Sequence, residues 1–447
     1  MEFTHVLRGL LGIAALLGIA VLFSTNRRAI PWRVVFTGLV LQLVLALLIL
    51  KVDFVRLLFD GVGAFFVKLL SFTAEGSALV FGWLFQIPYG GQGLVVAATD
   101  GRTFNTFAPI FAISVLPSIV FFAALTSLLY RLGLLQLVVK GFAWLMSKTL
   151  RLSGPETLNA SANIFVGQTE APLLIRPFLD KMTRSELLAV MVGGMATIAG
   201  GVMAVYITLL GGSDPASQVR WATHLLTASV LSAPAALITA KILMPQTETV
   251  DETLILSAER PGANVIDAIC LGTTDGLKLM VNVAGMLIVF TALVAMGNWI
   301  LAAGPGEWFG FNSLVNQLTG GQFKTFSLQF LFGMVGAPFA WLIGIDSDLL
   351  LVGGRLLGEK VVLNEFVAYF TMSNMQATGE LVDDRSRIIL TYALCGFSNI
   401  VSIGIQVGGL GAMAPSRRAD LARLGWRALL GGNIACFFTA CIAGMLF

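Results

Sequence analysis

The 447-residue chain is unusually apolar, with 57% hydrophobic and only 12% charged residues. Soluble domains are typically about 45–50% apolar and about 25% charged, so this composition excludes an ordinary soluble domain. The formal net charge is only +3, and the sequence shows no basic face interleaved with exposed aromatic residues, which argues against nucleic acid as a partner.

Apolar runs follow one another along the whole chain, and each is close to or above the ~20 residues that cross a bilayer as an α-helix. They are Val6–Ser24, Val34–Leu50, Phe107–Tyr130, Leu187–Leu210, Leu225–Leu243, Leu279–Leu301, Ile388–Leu410 and Ala428–Phe447. A membrane β-barrel would show alternating segments of about ten residues instead. The runs therefore predict an all-α polytopic membrane protein with about eight transmembrane helices.

The orientation in the bilayer follows from the most basic loops, Ser24–Arg33 and Pro415–Arg427. Lys and Arg accumulate in cytoplasmic loops, so both loops are predicted to lie in the cytoplasm. We therefore expect a multi-pass protein of the bacterial cytoplasmic (inner) membrane with both termini outside.

Two segments space their charges through apolar residues and read as amphipathic helices at the membrane interface: Phe54–Leu70 and Leu134–Leu152. Packed connecting helices are the alternative for both.

Two further segments contain helix breaks and predict re-entrant hairpins. Pro155–Asp180 holds a polar cluster in its middle, so a turn near Gly167–Glu170 would divide it into two half-helices, the second starting near Pro172. Phe326–Leu351 has three residues that would break its middle: Gly333, Gly336 and Pro338.

Interrupted helices follow the hairpins in both halves of the chain. Gly193–Tyr206 follows the first hairpin; Gly358–Phe370 and the Gly-interrupted Cys395–Gly409 follow the second. Paired interrupted segments are typical of secondary transporters built from inverted repeats.

The first pair of breaks offers an all-oxygen, uncharged shell. It would combine the Asn163 amide oxygen, the Thr197 hydroxyl and the backbone carbonyls of Val166, Thr197 and Ile198. Such a shell suits a small monovalent cation, because a divalent ion would require carboxylates. Helix–helix contact through buried Asn and Thr remains the alternative.

Polar side chains near the breaks predict a ligand site. Three consecutive residues of the first turn mix hydrogen-bond donors and acceptors: Gln168, Thr169 and Glu170. Glu365 is a second buried carboxylate, and Asn399 and Ser402 share one helical face. Carboxylates without a basic cluster favour a neutral, polyhydroxylated ligand. A salt bridge from Glu365 to Lys360 is the alternative.

Five stretches resemble the motifs of concentrative nucleoside transporters: SGPETLNASANIFVGQTEAPLLIRPFL, GGMATIAGGVMAVY, GAPFAWLIGI, LLGEKVVLNEFVAY and CGFSNIVSIGIQVGG. The resemblance extends from about residue 105 to the C-terminus. It implies a homotrimer in which a scaffold holds an elevator-like transport domain. The expected division is 1–104 and 105–150 (N-terminal and scaffold helices), 151–278 (transport domain), 279–322 (scaffold helix) and 323–447 (transport domain).

The resemblance also implies a role for each site residue. It assigns the nucleobase to Gln168, Thr169, Glu170 and Val202, and the ribose to Glu365, Asn399 and Ser402, with Phe397 beside them. It assigns co-transported sodium to Asn163, Val166, Thr197 and Ile198. The expected function is sodium-coupled nucleoside symport into the cell, with proton coupling as the alternative.

Two other classes of protein remain open. A membrane-embedded transferase would need a nucleophile–base pair or a metal cluster, and the sequence shows neither, so we expect a transporter and not an enzyme. A channel would conduct without saturation or ion coupling, which uptake measurements distinguish.

Overall fold

The computed structural model describes residues 3–82, 94–97, 103–107, 111–248 and 262–447. Its N-terminal elements are α1 (Phe3–Leu22), α2 (Trp32–Lys51), α3 (Asp53–Phe81), β1 (Leu94–Ala97), β2 (Thr103–Phe107), α4 (Phe111–Ser114), α5 (Pro117–Leu132) and α6 (Leu134–Leu150). The two strands form an antiparallel ribbon, which is a small exception to the predicted all-α architecture.

The later elements are again helical. They are α7 (Gly154–Ala162), a 3₁₀ helix (Ala171–Phe178), α8 (Arg184–Ala196), α9 (Gly200–Gly211), α10 (Pro215–Leu243), α11 (Val265–Leu301), α12 (Phe311–Leu318), α13 (Leu328–Ile343), α14 (Leu350–Val362), α15 (Glu365–Thr378), α16 (Asp384–Leu394), α17 (Ile400–Met413) and α18 (Arg418–Leu446).

Within the described residues, eight helical segments are long and apolar enough to cross a membrane, which agrees with the predicted number. The membership differs in two places. The run Ile388–Leu410 is broken between α16 and α17. The predicted interfacial helix Phe54–Leu70 is too short, because α3 continues to Phe81. The helix ends at Gly82, whose φ of 57° is not helical.

The helices differ sharply in how much of their surface is buried. In the most apolar 18-residue stretch of α10, 100% of the residues are buried, and in that of α18 94% are buried. In the corresponding stretch of α11, 0% of the residues are buried. Leu79 on α3 and Ile288 on α11 are 87% and 71% exposed. Soluble proteins seldom present such extended apolar surface, so α3 and α11 belong to the periphery that faces lipid or another subunit.

The first predicted hairpin has the expected form. α7 ends at Ala162, a turn follows, and the second arm is the 3₁₀ helix with Pro172 in its first turn. A capping box starts α7: the Ser153 Oγ accepts from the Glu156 N–H at 3.3 Å, and Glu156 Oε1 accepts from the Ser153 N–H at 3.4 Å.

The second hairpin, predicted to turn in the middle of Phe326–Leu351, is wrong in the position of its turn. Its glycines and proline lie inside the continuous helix α13. A Cβ on Gly336 would lie only 2.2 Å from the Gly354 carbonyl oxygen of α14, so the small residues serve close helix packing instead of a turn.

The helix break that forms the hairpin in the second half of the chain lies at residues 363–364, between α14 and α15. Helices α14 and α15 contact each other on either side of this break, so the chain folds back on itself there. The predicted polar helix Gly358–Phe370 is therefore not continuous, and its break places Glu365 at a hairpin tip.

The order of elements now repeats: a hairpin (α7 and the 3₁₀ helix, then α14 and α15), a broken helix (α8–α9, then α16–α17) and a long buried helix (α10, then α18). The two broken helices meet where they are unwound, since the Phe397 N–H donates to the Thr197 carbonyl at 3.3 Å. The unwound backbone at the two breaks is mostly buried in protein, which is what a membrane protein requires of non-helical backbone.

The predicted domain limits do not all coincide with element ends. The limit at 278/279 falls inside α11, and the limit at 104/105 falls inside β2. The division into scaffold and transport domain stays a prediction.

Candidate functional site

A cavity of about 170 Å³ lies where the two hairpin tips meet the broken helices. Every residue predicted to bind substrate lines it: Gln168, Thr169, Glu170, Val202, Glu365, Phe397, Asn399 and Ser402. Helix α11 adds an apolar wall through Leu279, Val283, Met286 and Leu287. Few convergent polar groups in an apolar enclosure are typical of small-molecule sites.

Glu365 is held from two sides in this cavity. Its carboxylate accepts from the Tyr206 hydroxyl on α9 at 3.0 Å and from the Asn399 side-chain amide at 2.9 Å. Lys360, the alternative partner, donates instead to the Ala393 carbonyl at 2.8 Å. A carboxylate has about four lone-pair positions, so Glu365 retains capacity to accept from a ligand hydroxyl.

Two helix N-termini position these groups. Asn364 Oδ1 accepts from the Val367 N–H at 2.8 Å and caps α15, while Asn399 Oδ1 accepts from the Ser402 N–H at 2.8 Å and caps α17. Glu365 is the first residue of α15, where the positive end of the helix dipole stabilises a carboxylate.

Gln168 joins the first hairpin to α17. Its Nε2 donates to the Ser402 hydroxyl at 3.3 Å, and its Oε1 accepts from Gln406 Nε2 at 3.0 Å. Gln168 is 8% exposed and Ser402 is 1% exposed, so both side chains are fixed by protein contacts. The base-binding and ribose-binding residues predicted from the sequence are therefore directly connected.

Glu170 completes the first hairpin turn. Its Oε2 accepts from the Gly167 N–H at 2.7 Å, which closes the turn on itself, while the rest of the side chain is exposed to the cavity. Thr169 packs beside α17: its Cγ2 lies 3.0 Å from the position that a Cβ would occupy if Gly409 carried one. The turn thus presents both side chains without being freely mobile.

The four residues predicted to bind sodium lie where the first hairpin turn contacts the break between α8 and α9. The Gly200 N–H donates to the Phe165 carbonyl at 3.1 Å, and the Thr197 hydroxyl donates to the Gly193 carbonyl at 2.9 Å. Asn163, Val166, Thr197 and Ile198 are each at most 3% exposed.

Asn163 is the residue of this group whose side-chain polar atoms are buried without a partner. It is 0% exposed, and neither its Oδ1 nor its Nδ2 has a hydrogen-bond partner among the described residues. Leaving such a group unpaired costs ~1–3 kcal/mol, which a cation at Oδ1 would offset. The described residues contain no group of three His, Cys, Asp or Glu that could hold a metal ion. The amide, hydroxyl and carbonyl oxygens of these four residues are neutral donors, which suit a monovalent cation better than a divalent one.

Two functional side chains were missed by sequence reasoning. Tyr206 orients Glu365, and Gln406 orients Gln168. The signal for Gln406 was available, because it lies four residues after Ser402 and seven after Asn399 on one helical face. Tyr206 had no comparable signal, since its partner is 159 residues away.

Paired hairpins, two broken helices and a cavity at their meeting point define a polytopic membrane transporter. Comparisons with known proteins agree. The family models described as "Na+ dependent nucleoside transporter" match residues 11–84 (N-terminus) and 224–444 (C-terminus), and a model described as "Nucleoside recognition" matches residues 112–213.

Individual proteins show the same likeness. An uncharacterized transporter of Haemophilus influenzae is 41% identical over 98% of this chain and 97% of its own length. Human solute carrier family 28 member 3 is 38% identical over 95% of this chain, which spans 58% of that longer protein. A solved structure of CNTnw in an inward-facing substrate-bound state is 37% identical, with a TM-score of 0.84 over 99% of this chain and 97% of that one.

Variants of CNTnw solved in outward-facing and intermediate states give TM-scores between 0.82 and 0.85. The chain belongs to the Na⁺ dependent nucleoside transporter family. It is accordingly a transporter and not an enzyme.

Proposed function

We propose that this protein carries nucleosides into the cell by symport with sodium. The observation that carries the proposal is the cavity, where the polar turn of the first hairpin meets Glu365 and its partners from the second half of the chain. Two carboxylates without a basic cluster would repel an anionic substrate and accept hydrogen bonds from ribose hydroxyls.

Each end of the nucleoside has its own set of groups. Glu365, Asn399 and Ser402 form one connected set that would bind the ribose. Gln168, Thr169 and Glu170 would bind the polar edge of the base, while Val202 and Phe397 supply apolar contacts to its ring.

Sodium would bind at Asn163 Oδ1, the Thr197 hydroxyl and the carbonyls of Val166, Thr197 and Ile198. The support is the unpaired, fully buried Asn163 amide directly beside the turn that holds Gln168. Sodium would tighten the turn and so present Gln168 and Glu170 to the base. Such coupling is reciprocal, so nucleoside must raise the affinity for sodium by the same factor.

The transport cycle would be alternating access, with the hairpins and broken helices moving as one body against the peripheral helices. We further propose a homotrimer in the bacterial inner membrane with both termini outside. The exposed apolar surfaces of α3 and α11 support contacts with lipid or neighbouring subunits.

Uptake of radiolabelled uridine and adenosine into proteoliposomes, with and without a sodium gradient, tests this function. Saturable uptake that requires sodium would support symport. Uptake that ignores sodium but follows pH would favour proton coupling through Glu170 or Glu365. Uptake without saturation would indicate a channel, and conversion of nucleoside to free base would indicate an enzyme.

Removing a sodium ligand is expected to weaken sodium activation and uptake together. Even outer-shell partners of metal ligands cost about 10–100-fold in affinity, so Asn163→Ala should raise the half-saturating sodium concentration about ten-fold or more. Thr197→Val removes a second ligand, while Thr197→Ser keeps the hydroxyl and serves as the matched control. Uridine binding is measured against sodium at fixed pH, with choline holding ionic strength. An unchanged sodium dependence in Asn163→Ala would reject this site.

Changes in the first hairpin turn are expected to alter the ranking of nucleosides. Gln168→Ala and Glu170→Ala each remove hydrogen bonds to the base, and a neutral hydrogen bond changes affinity about two- to ten-fold. Bases that use the lost group should suffer more than bases that do not. Competition among four nucleosides on folded protein measures the ranking. An equal loss for all four would assign the turn a purely structural role.

A further inference from the structure

Gln406 is almost completely buried, with 1% of its surface exposed, and does not line the cavity. Its Nε2 donates two hydrogen bonds, to the Met191 carbonyl at 2.9 Å and to Gln168 Oε1 at 3.0 Å. The Gln406 amide nitrogen thereby connects α8, the first half of the broken helix α8–α9, to the first hairpin turn. Both of its N–H groups are used.

These contacts determine which way the Gln168 amide points. A backbone carbonyl can only accept, so the atom of Gln406 beside Met191 must be the amide nitrogen. The same nitrogen lies beside Gln168, so the Gln168 atom there must be the accepting Oε1. The Gln168 Nε2 is then turned toward Ser402 and the cavity.

Gly194 makes this arrangement possible. A Cβ at that position would lie 2.7 Å from Gln406 Nε2 and 2.8 Å from Gln168 Cβ. Those distances are shorter than real Cβ contacts, so any larger residue would displace both Gln406 and Gln168. The absence of a side chain at Gly194 therefore leaves the space that the hydrogen bond between Gln406 and Gln168 needs.

We propose that Gln406 is a specificity-determining positioning residue: it locks the Gln168 amide with its donor toward the substrate, and thereby favours bases with a keto group over bases with an amino group at the same exocyclic position. The inference rests on the proposed nucleoside transport. Of the two N–H groups on Gln168 Nε2, one is used by Ser402, and the other needs an acceptor on the base. A keto oxygen supplies one, whereas an exocyclic amino group presents a second donor.

Gln406→Met tests the lock at nearly constant volume. Without the donor, the Gln168 amide can turn its oxygen toward the base and accept from an amino group. The affinity ratios of cytidine to uridine and of adenosine to inosine should then both rise about two- to ten-fold, the effect of one neutral hydrogen bond. Competitive binding to purified protein in sodium-containing buffer measures both ratios.

Gln168→Glu provides a second, independent variant. It keeps the bond from Gln406 but replaces the donor toward the cavity with an acceptor, so the ratios should move in the same direction. In a Gln168→Ala background, Gln406→Met should cause no further change, because the residue it positions is absent. If Gln406→Met does not fold, Gly194→Ala replaces it, because the added Cβ would displace Gln406 Nε2 from Gln168 and should raise both ratios in the same way.

Gln42→Met is the matched control. Gln42 is 0% exposed and donates to the Thr439 hydroxyl at 3.0 Å, away from the cavity, so both ratios should stay at wild-type values. Wild-type ratios in folded Gln406→Met, with binding retained, would overturn this inference and leave the proposed function standing. Wild-type protein that binds no nucleoside would reject the proposed function and this inference with it.

Discussion

Replacing Glu365 with glutamine is expected to weaken nucleoside binding about 10–100-fold. The substitution keeps the shape of the side chain but removes the charge that strengthens hydrogen bonds from ribose hydroxyls, and a bond to a charged group contributes ~1.5–3 kcal/mol. The effect is larger than at an exposed site, because Glu365 is 4% exposed and already oriented by Tyr206 and Asn399.

The ratio of uridine to uracil affinity isolates the ribose contribution. In the wild-type protein uridine should bind far better than uracil, and Glu365→Gln should remove most of that difference. Glu359→Gln is the matched control. Glu359 is only 3% exposed, much like Glu365, but it pairs with Arg355 outside the cavity. Equal affinity of wild-type protein for uracil and uridine would show that Glu365 does not bind ribose.

The second large effect is expected on stability, from Lys241→Met. Lys241 lies on α10 with its Nζ 2.6 Å from Glu156 Oε2, and it also donates to the Ser185 hydroxyl at 3.0 Å. The two charged side chains are 0% and 1% exposed. Removing one partner of a buried pair leaves the other charge uncompensated, so we expect a loss of ~3–5 kcal/mol.

The double variant Lys241→Met with Glu156→Gln separates charge from packing. It removes both charges and keeps an amide that can still accept the α7 capping bond, so it should recover most of the lost stability. The midpoint of thermal unfolding in detergent measures this. Lys278→Met at the exposed pair with Asp275 should leave the midpoint almost unchanged. A double variant as unstable as Lys241→Met would show that the lysine acts through packing alone.

The buried pair also bears on function through geometry. Glu156 lies in the first turn of α7, which starts the first hairpin, and the turn of that hairpin carries Gln168 and one side of the proposed sodium site. Under the proposed coupling, this anchor at the base of the hairpin would confine a sodium-dependent movement to the turn. That arrangement suits a coupling mechanism in which a small local change must alter affinity for the base.

Sequence reasoning succeeded where a local property decides the outcome. Hydropathy over ~20 residues is set by the chain itself, so the class of protein and nearly all membrane-length helices followed from it. The polar residues of the site also stood out, because a carboxylate or amide inside an apolar segment is too costly to be incidental. The first hairpin turn followed from the polar cluster that ends near Pro172.

The tertiary structure decided everything that depends on a distant partner. Gly333 and Gly336 look like helix breakers in sequence, but they lie within α13 because α14 packs against them, whereas the true break precedes Glu365. Gln406 reaches Gln168 across 238 positions of chain. Apolar periodicity and spacing report only which residues share a face. Which faces then meet depends on packing between elements far apart in sequence, so only the folded chain determines how the two hairpins close one cavity.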